Sequence, residues 1–153
     1  MNEYIKSLKQ QGKLNISIDK TKTFSWEYDK IAGPCSVEGP EIVDIAKKIK
    51  SLGANAFRAG AYTPCTLLYK VKKETNMPIV TEVMDASMIG EVGQVADVFQ
   101  IGTRNFQNYT LLDALGKCNT PILLKRGTWG TIDEILGACE RILVGGNENI
   151  AIC

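Results

Sequence analysis

From Lys30 onward the chain alternates short, almost wholly apolar runs with segments of helical periodicity, and few architectures satisfy that pattern. The runs are Ile31-Ala32-Gly33, Ala54–Phe57, Pro78–Val83, Val98–Gly102, Pro121–Leu124 and Asn149–Ile152. Strands this apolar need cover on both faces, which a parallel sheet with crossover helices supplies. Between them, Ile42, Ile45, Ala46 and Ile49 share one helical face, with Pro40 placed for the first turn. Leu68, Val71 and Tyr69 predict a shorter helix ending near Asn76. Leu111, Leu112 and Leu115 predict another, with Asn108 as N-cap. Thr131-Ile132-Asp133-Glu134 reads as a capping box ahead of Ile135, Leu136, Cys139, Ile142 and Leu143, stopped by Gly145 and Gly146.

Residues 1–29 are polar and irregular, with a short strand pair expected around Leu14–Ile18 and Thr23–Trp26. They read as a leader or cap segment, and residues 30–153 as the domain. Six parallel strands suit an open doubly wound sheet, but no GxGxxG or Walker A fingerprint follows any of them. The rival is a barrel, which takes eight strands and about 250 residues. The chain of 153 residues closes on an apolar run, as though cut.

Charge and composition exclude several functions. Eighteen Lys and Arg against 17 Asp and Glu give a net charge of +1, without the basic excess a polyanion binder needs. Lys47, Lys48 and Lys50 read as a solvated helix face. No apolar run approaches the ~20 residues that span a bilayer, and the N-terminus has no signal-peptide core. Neither nucleic acid nor a membrane is an expected partner, and the expected location is cytoplasmic. The five cysteines form no CxxC pair, which fits reduced thiols. Histidine is absent, which rules out His bases and His metal ligands from this chain.

Ligands in parallel α/β folds bind beyond the carboxyl ends of the strands. There the sequence places Gly33-Pro34-Cys35-Ser36, Arg58-Ala59-Gly60, Thr81-Glu82-Val83-Met84-Asp85, Gly102-Thr103-Arg104-Asn105 and Lys125-Arg126-Gly127. Three of these five ends carry a cation beside or near glycine, a pattern suited to phosphate and carboxylate groups. The competing reading pairs those cations with acids such as Glu82 and Asp85. Cys35 is either an inert small hydrophobe or a thiolate ligand, and for an isolated cysteine the buried role is commoner. Cys118 and Cys139 are assigned to helix packing. Trp129 either stacks on a ligand or covers the mouth.

Taken together, IAGPCSVE (residues 31–38), PIVTEVMD (78–85), QIGTRNFQNYTLL (100–112), PILLKRG (121–127) and NENIAIC (147–153) resemble the 3-deoxy-7-phosphoheptulonate (DAHP) synthases of the short-barrel type. The likeness runs from about Lys30 to the end, with the motifs in the family's order. The related 3-deoxy-octulosonate 8-phosphate synthases share the first motif but fit QIGTRN and LLKRG poorly.

The resemblance implies an α/β fold of the TIM (β/α)8 type, with about six β/α units present behind a short N-terminal cap. It implies a transferase that joins phosphoenolpyruvate to erythrose 4-phosphate, the first step of the shikimate pathway to aromatic amino acids. It also implies a divalent metal, Mn²⁺ or similar, with Cys35 as the metal-ligating residue. Arg58, Arg104 and Lys125 match cations that hold the phosphate and carboxylate of phosphoenolpyruvate, and Arg126 is counted with them. Lys125 and Glu82 are the catalytic candidates, Glu82 as an acid that orients water. A homo-oligomer is expected.

Two departures temper that expectation. Where the family carries Lys-Pro-Arg-Thr, this chain has Thr63-Pro64-Cys65-Thr66, followed by a shortened loop. The family's remaining metal ligands are expected on strands beyond the end of this chain. The alternative is therefore a non-catalytic anion-binding relic or regulatory protein of the same fold.

Overall fold

The computed structural model describes residues 30–60 and 65–153, and of the first 29 residues the strands β1 (Ile16–Asp19) and β2 (Lys22–Phe24). These two pair antiparallel as a separate hairpin, so the expected strand pair is present with shifted bounds. The leader reading of the other N-terminal residues, and the substitution at Thr63, lie outside the described residues.

The rest alternates as expected, with one further short helix, Ile89–Val92, between the third and fourth apolar runs. In order come β3 (Ile31–Ala32), α1 (Ile42–Ser51), β4 (Ala56–Arg58), α2 (Cys65–Thr75), β5 (Ile79–Glu82), α3 (Ile89–Val92), β6 (Val98–Ile101), α4 (Tyr109–Leu115), β7 (Ile122–Leu124), α5 (Ile132–Gly145) and β8 (Ile150–Ile152). Strands β3 to β8 form one six-stranded sheet in sequence order, every pairing parallel. The sheet curls into a half-barrel of the TIM type.

Residue alternation along the strands explains the packing. Phe57, Ile79, Phe99, Ile101, Ile122 and Leu124 face outward and are buried under the helices. The alternate residues Ile31, Ala56, Val80, Val98, Leu123 and Ala151 form a slim cluster of their own on the concave side. Each fully buried large side chain contributes about 1.5–3 kcal/mol, and most of them sit in the two helix-covered clusters. The fold is therefore held chiefly by its outer layer.

Helix ends follow local chemistry. Thr131 and Glu134 form the reciprocal capping box, and Gly146 ends α5 at φ 108°. Asn108 accepts from the Leu111 amide at the start of α4. Asn76, at φ 52°, ends α2 in the left-handed region that asparagine tolerates. On α1 the periodic reading needs correction. Ile45 is 39% exposed, whereas Val43 joins Ile42 and Ala46 in the core. Tyr69 on α2 is likewise exposed. Cys139 is buried within α5, but Cys118 lies past the end of α4, half-buried against the core. The basic tract on α1 is exposed, with Lys47 paired to Glu74 at 2.6 Å and Lys50 donating to the Thr75 carbonyl at 2.5 Å.

Candidate functional site at the carboxyl ends of the strands

Two residues beyond the inner apolar layer, alternation places Gly33, Arg58, Glu82, Gln100, Lys125 and Cys153 on the concave side. The inner face thus turns from hydrocarbon to polar toward the carboxyl ends of the strands. Register steps along the sheet, as a tilted barrel requires: Arg58 pairs with Val80, whereas Glu82 pairs with Gln100 and Gln100 with Leu123.

Arg58 is the hub. Its Nε donates to Gln100 Oε1 at 3.0 Å, and one terminal nitrogen donates to the carbonyls of Pro34 at 3.2 Å and Cys35 at 3.4 Å. The loop after β3 is laid against the end of β4 by backbone pairing. Gly60 donates to the Cys35 carbonyl at 3.1 Å and Val37 to the Gly60 carbonyl at 3.0 Å. Gly33 permits that contact, because a Cβ there would collide with the Arg58 carbonyl. Cys35 is consequently brought beside the guanidinium, and it is exposed, which overturns its reading as a buried small hydrophobe.

Glu82 leans over Gly102, whose missing Cβ would fall on the Glu82 carboxylate. Gly102 has an extended backbone (φ −65°, ψ 156°) that alanine adopts freely, so space alone demands glycine here. Gly102→Ala is expected to change stability by less than about 1 kcal/mol while pushing the Glu82 carboxylate aside. Urea unfolding and a crystal structure of the variant check this. An unmoved Glu82 would count against it.

Lys125 continues the β7 ladder through its N–H to the Ile101 carbonyl at 3.0 Å and is half-buried. The loop behind it rests on Phe106, which is fully buried; a Cβ on Gly130 would lie 2.5 Å from that ring, and one on Gly127 closer still. Trp129 packs against Phe106 at 6.0 Å between ring centroids and reaches Gln107 Oε1 with its indole nitrogen at 3.5 Å. With 58% of its surface exposed, it braces this loop through Phe106 and Gln107.

Arg104 stands on the short 3-10 turn Thr103–Asn105 at the same end of the sheet and is exposed. Arg126 follows Lys125 with the opposite parity and is exposed, its backbone amide bonded to the Cys153 carbonyl at 2.8 Å. Among the described residues no ion pair joins these cations to Glu82 or Asp85. Asp85 instead accepts from the Ser87 hydroxyl and amide, and those bonds hold its carboxyl below the usual range.

Cys65 packs against both helix-side clusters, with its sulfur 3.9 Å from the Glu91 carbonyl. Burial, with Glu91 nearby, pushes its thiol up. The side chain at the position of the family's expected arginine is thus taken up by packing. Gln100 is the polar member of the inner face that residue-by-residue reasoning passed over. Its signal was a lone amide inside the apolar run Val98–Ile101.

Among the described residues, no group of three or more Cys, Asp or Glu is placed to hold a metal ion, and Cys35 is a free, exposed thiol. These residues do not fit a metal centre by themselves. No described helix is long and apolar enough to cross a membrane.

Comparison with known proteins agrees with the geometry. The model of the DAHP synthetase I family matches residues 15–153. Phospho-2-dehydro-3-deoxyheptonate aldolase of Thermotoga maritima is 37% identical, over 90% of this chain and 45% of that protein. A 2-dehydro-3-deoxyphosphooctonate aldolase of Pisum sativum is 30% identical, over 80% of this chain and 50% of its own length. The crystal structure of the Thermotoga maritima aldolase (DAHP synthase) superposes with a TM-score of 0.82 at 36% identity, over 90% of this chain and 44% of that one. A truncated form of 3-deoxy-D-arabino-heptulosonate 7-phosphate synthase from the same organism also gives 0.82, at 37% identity over 91% of this chain and 55% of that one. The chain spans about half the length of the relatives it matches. With its motifs in order on a shared half-barrel, the chain belongs to the DAHP synthetase I family.

Proposed function

We propose that the protein condenses phosphoenolpyruvate with erythrose 4-phosphate, releasing phosphate and forming DAHP. The observation that carries this reading is the polar inner layer: Arg58, Glu82 and Lys125 stand on the concave face at the strand ends, beside the Cys35 loop. Arg58, Arg104 and Lys125 would hold the carboxylate and phosphate of phosphoenolpyruvate, with Arg126 counted beside them. Binding there places the enol carbon for attack on the sugar aldehyde. The same cations stabilise charge while water, oriented by Glu82, attacks C2 and phosphate leaves. The described residues do not by themselves form a metal centre, and Cys35 is the donor the family resemblance assigns to one.

Residues 1–29 belong to this reading as a cap on the barrel segment 30–153, in a cytoplasmic protein. A homo-oligomer is also included, supported by Leu52 and Val144, which are among the most exposed apolar side chains.

The test is a coupled assay for phosphate release by the purified protein with phosphoenolpyruvate, erythrose 4-phosphate and Mn²⁺. Calorimetric titration with phosphoenolpyruvate runs alongside it. Release dependent on both substrates supports the reading. Binding without release would assign the protein to the non-catalytic alternative. Lys125→Ala is expected to weaken phosphoenolpyruvate binding by about 30-fold or more; unchanged binding would remove Lys125 from the site.

A further inference from the structure

Gln100 carries the one buried side-chain nitrogen that, among the described residues, has no hydrogen-bond partner. It is 3% exposed, in the middle of β6 and opposite Glu82 and Leu123 in the sheet register. Its orientation is forced. The Arg58 Nε–H can only donate, so the carboxamide oxygen must face it, at 3.0 Å. The amino group therefore turns away from the guanidinium and carries two buried N–H donors that no described protein acceptor reaches. A buried amide left half-satisfied is costly, and an apolar residue would fill the layer as Leu123 does beside it.

We propose that Gln100 is a binding residue of the anion pocket. Its Oε1 holds the Arg58 guanidinium in orientation, while its Nε2 donates to an oxygen of the same carboxylate or phosphate group that Arg58 receives. This rests on the anion-binding reading above and extends it to a residue outside the expected set. Glutamine suits the position because it accepts at one end and donates at the other. Glutamate accepts from Arg58 equally well but turns a second anionic oxygen toward the ligand. Methionine fills the volume with neither function.

The experiment titrates phosphoenolpyruvate, pyruvate and inorganic phosphate into the purified protein, its Gln100→Met variant and its Gln100→Glu variant, with folding checked by circular dichroism and thermal unfolding. Both variants are expected to raise the Kd for phosphoenolpyruvate by about 10- to 100-fold, the range for a hydrogen bond to a charged group. If the amide meets the carboxylate, pyruvate binding falls in parallel while phosphate binding holds. If it meets the phosphoryl group, phosphate binding falls instead. Either pattern supports the proposal, and if Gln100→Met does not fold, Gln100→Glu decides it, since that variant keeps the acceptor for Arg58.

A folded Gln100→Met protein that binds all three ligands within about twofold of the parent overturns the proposal and leaves the pocket standing. Loss in Gln100→Met with full binding in Gln100→Glu also overturns it, leaving Gln100 to position Arg58 alone. A parent protein that binds none of the three overturns both this inference and the proposed function.

Discussion

Replacing Arg58 by alanine is expected to raise the Kd for phosphoenolpyruvate by at least about 100-fold, because truncating one partner of a part-buried charge-assisted contact costs a few kcal/mol. The reason is more than lost charge. Arg58 ties together three parts of the mouth: the loop after β3 through the Pro34 and Cys35 carbonyls, β6 through Gln100, and its own strand. Its removal would also strand Gln100 Oε1 without a donor in a site only 3% exposed. Arg58→Lys is expected to recover only part of the affinity, since an ammonium cannot reproduce a planar fork that serves Gln100 and two carbonyls together. Calorimetric titration of both variants measures this. Affinity within threefold of the parent in Arg58→Ala, on the order of the noise expected for a neutral surface change, would separate the pocket from this residue.

The largest loss of stability is expected at Phe106, where truncation to alanine costs about 3–5 kcal/mol. The ring is fully buried, belongs to the larger of the helix-side clusters, and touches the backbone of the β7–α5 loop at Gly127 and Gly130. Both glycines lack a Cβ where the ring lies, so the loop and the ring are fitted to each other. The cavity left by alanine would be bounded by this loop and by Trp129, whose ring leans on Phe106. Urea unfolding with an unchanged slope gives the number. A loss below about 1 kcal/mol would show that the loop closes the gap by itself. Since Lys125 opens the same loop, weaker phosphoenolpyruvate binding by the folded variant is the accompanying expectation.

Much of the candidate site was legible because strand parity is rigid. Once Val98 and Leu123 are inward, Gln100 and Lys125 must be inward too, whatever the loops do. Motif order likewise marked Cys35, Arg58, Glu82 and Lys125. What parity does not reach are residues past the last strand bond. Arg104 sits on a 3-10 turn, and its exposure was decided by how that turn packs. Arg126 shares a motif with Lys125 yet has the opposite parity. Cys65 was read as an absent arginine, but its burial against two helix clusters became visible only once α2 was set against the sheet.

Helix faces tell the same story at the level of the core. Ile45 and Val43 lie close to the boundary of the α1 stripe, and sequence spacing favoured the larger residue. The structure buries Val43 and leaves Ile45 39% exposed, because the packing of α1 against α2 and β4 fixes which edge of the stripe is covered. No local propensity contains that packing.

The sequence alone determined the order of strands and helices, the caps at Thr131 and Asn108, the parallel sheet and the family, since each depends on local chemistry or periodic burial. Tertiary structure alone decided the meeting of Arg58 with Gln100, residues 42 positions apart, and the seating of Glu82 over Gly102. Those contacts arise from the curvature and stagger of the sheet, which are collective properties of six paired strands and are encoded in no single segment.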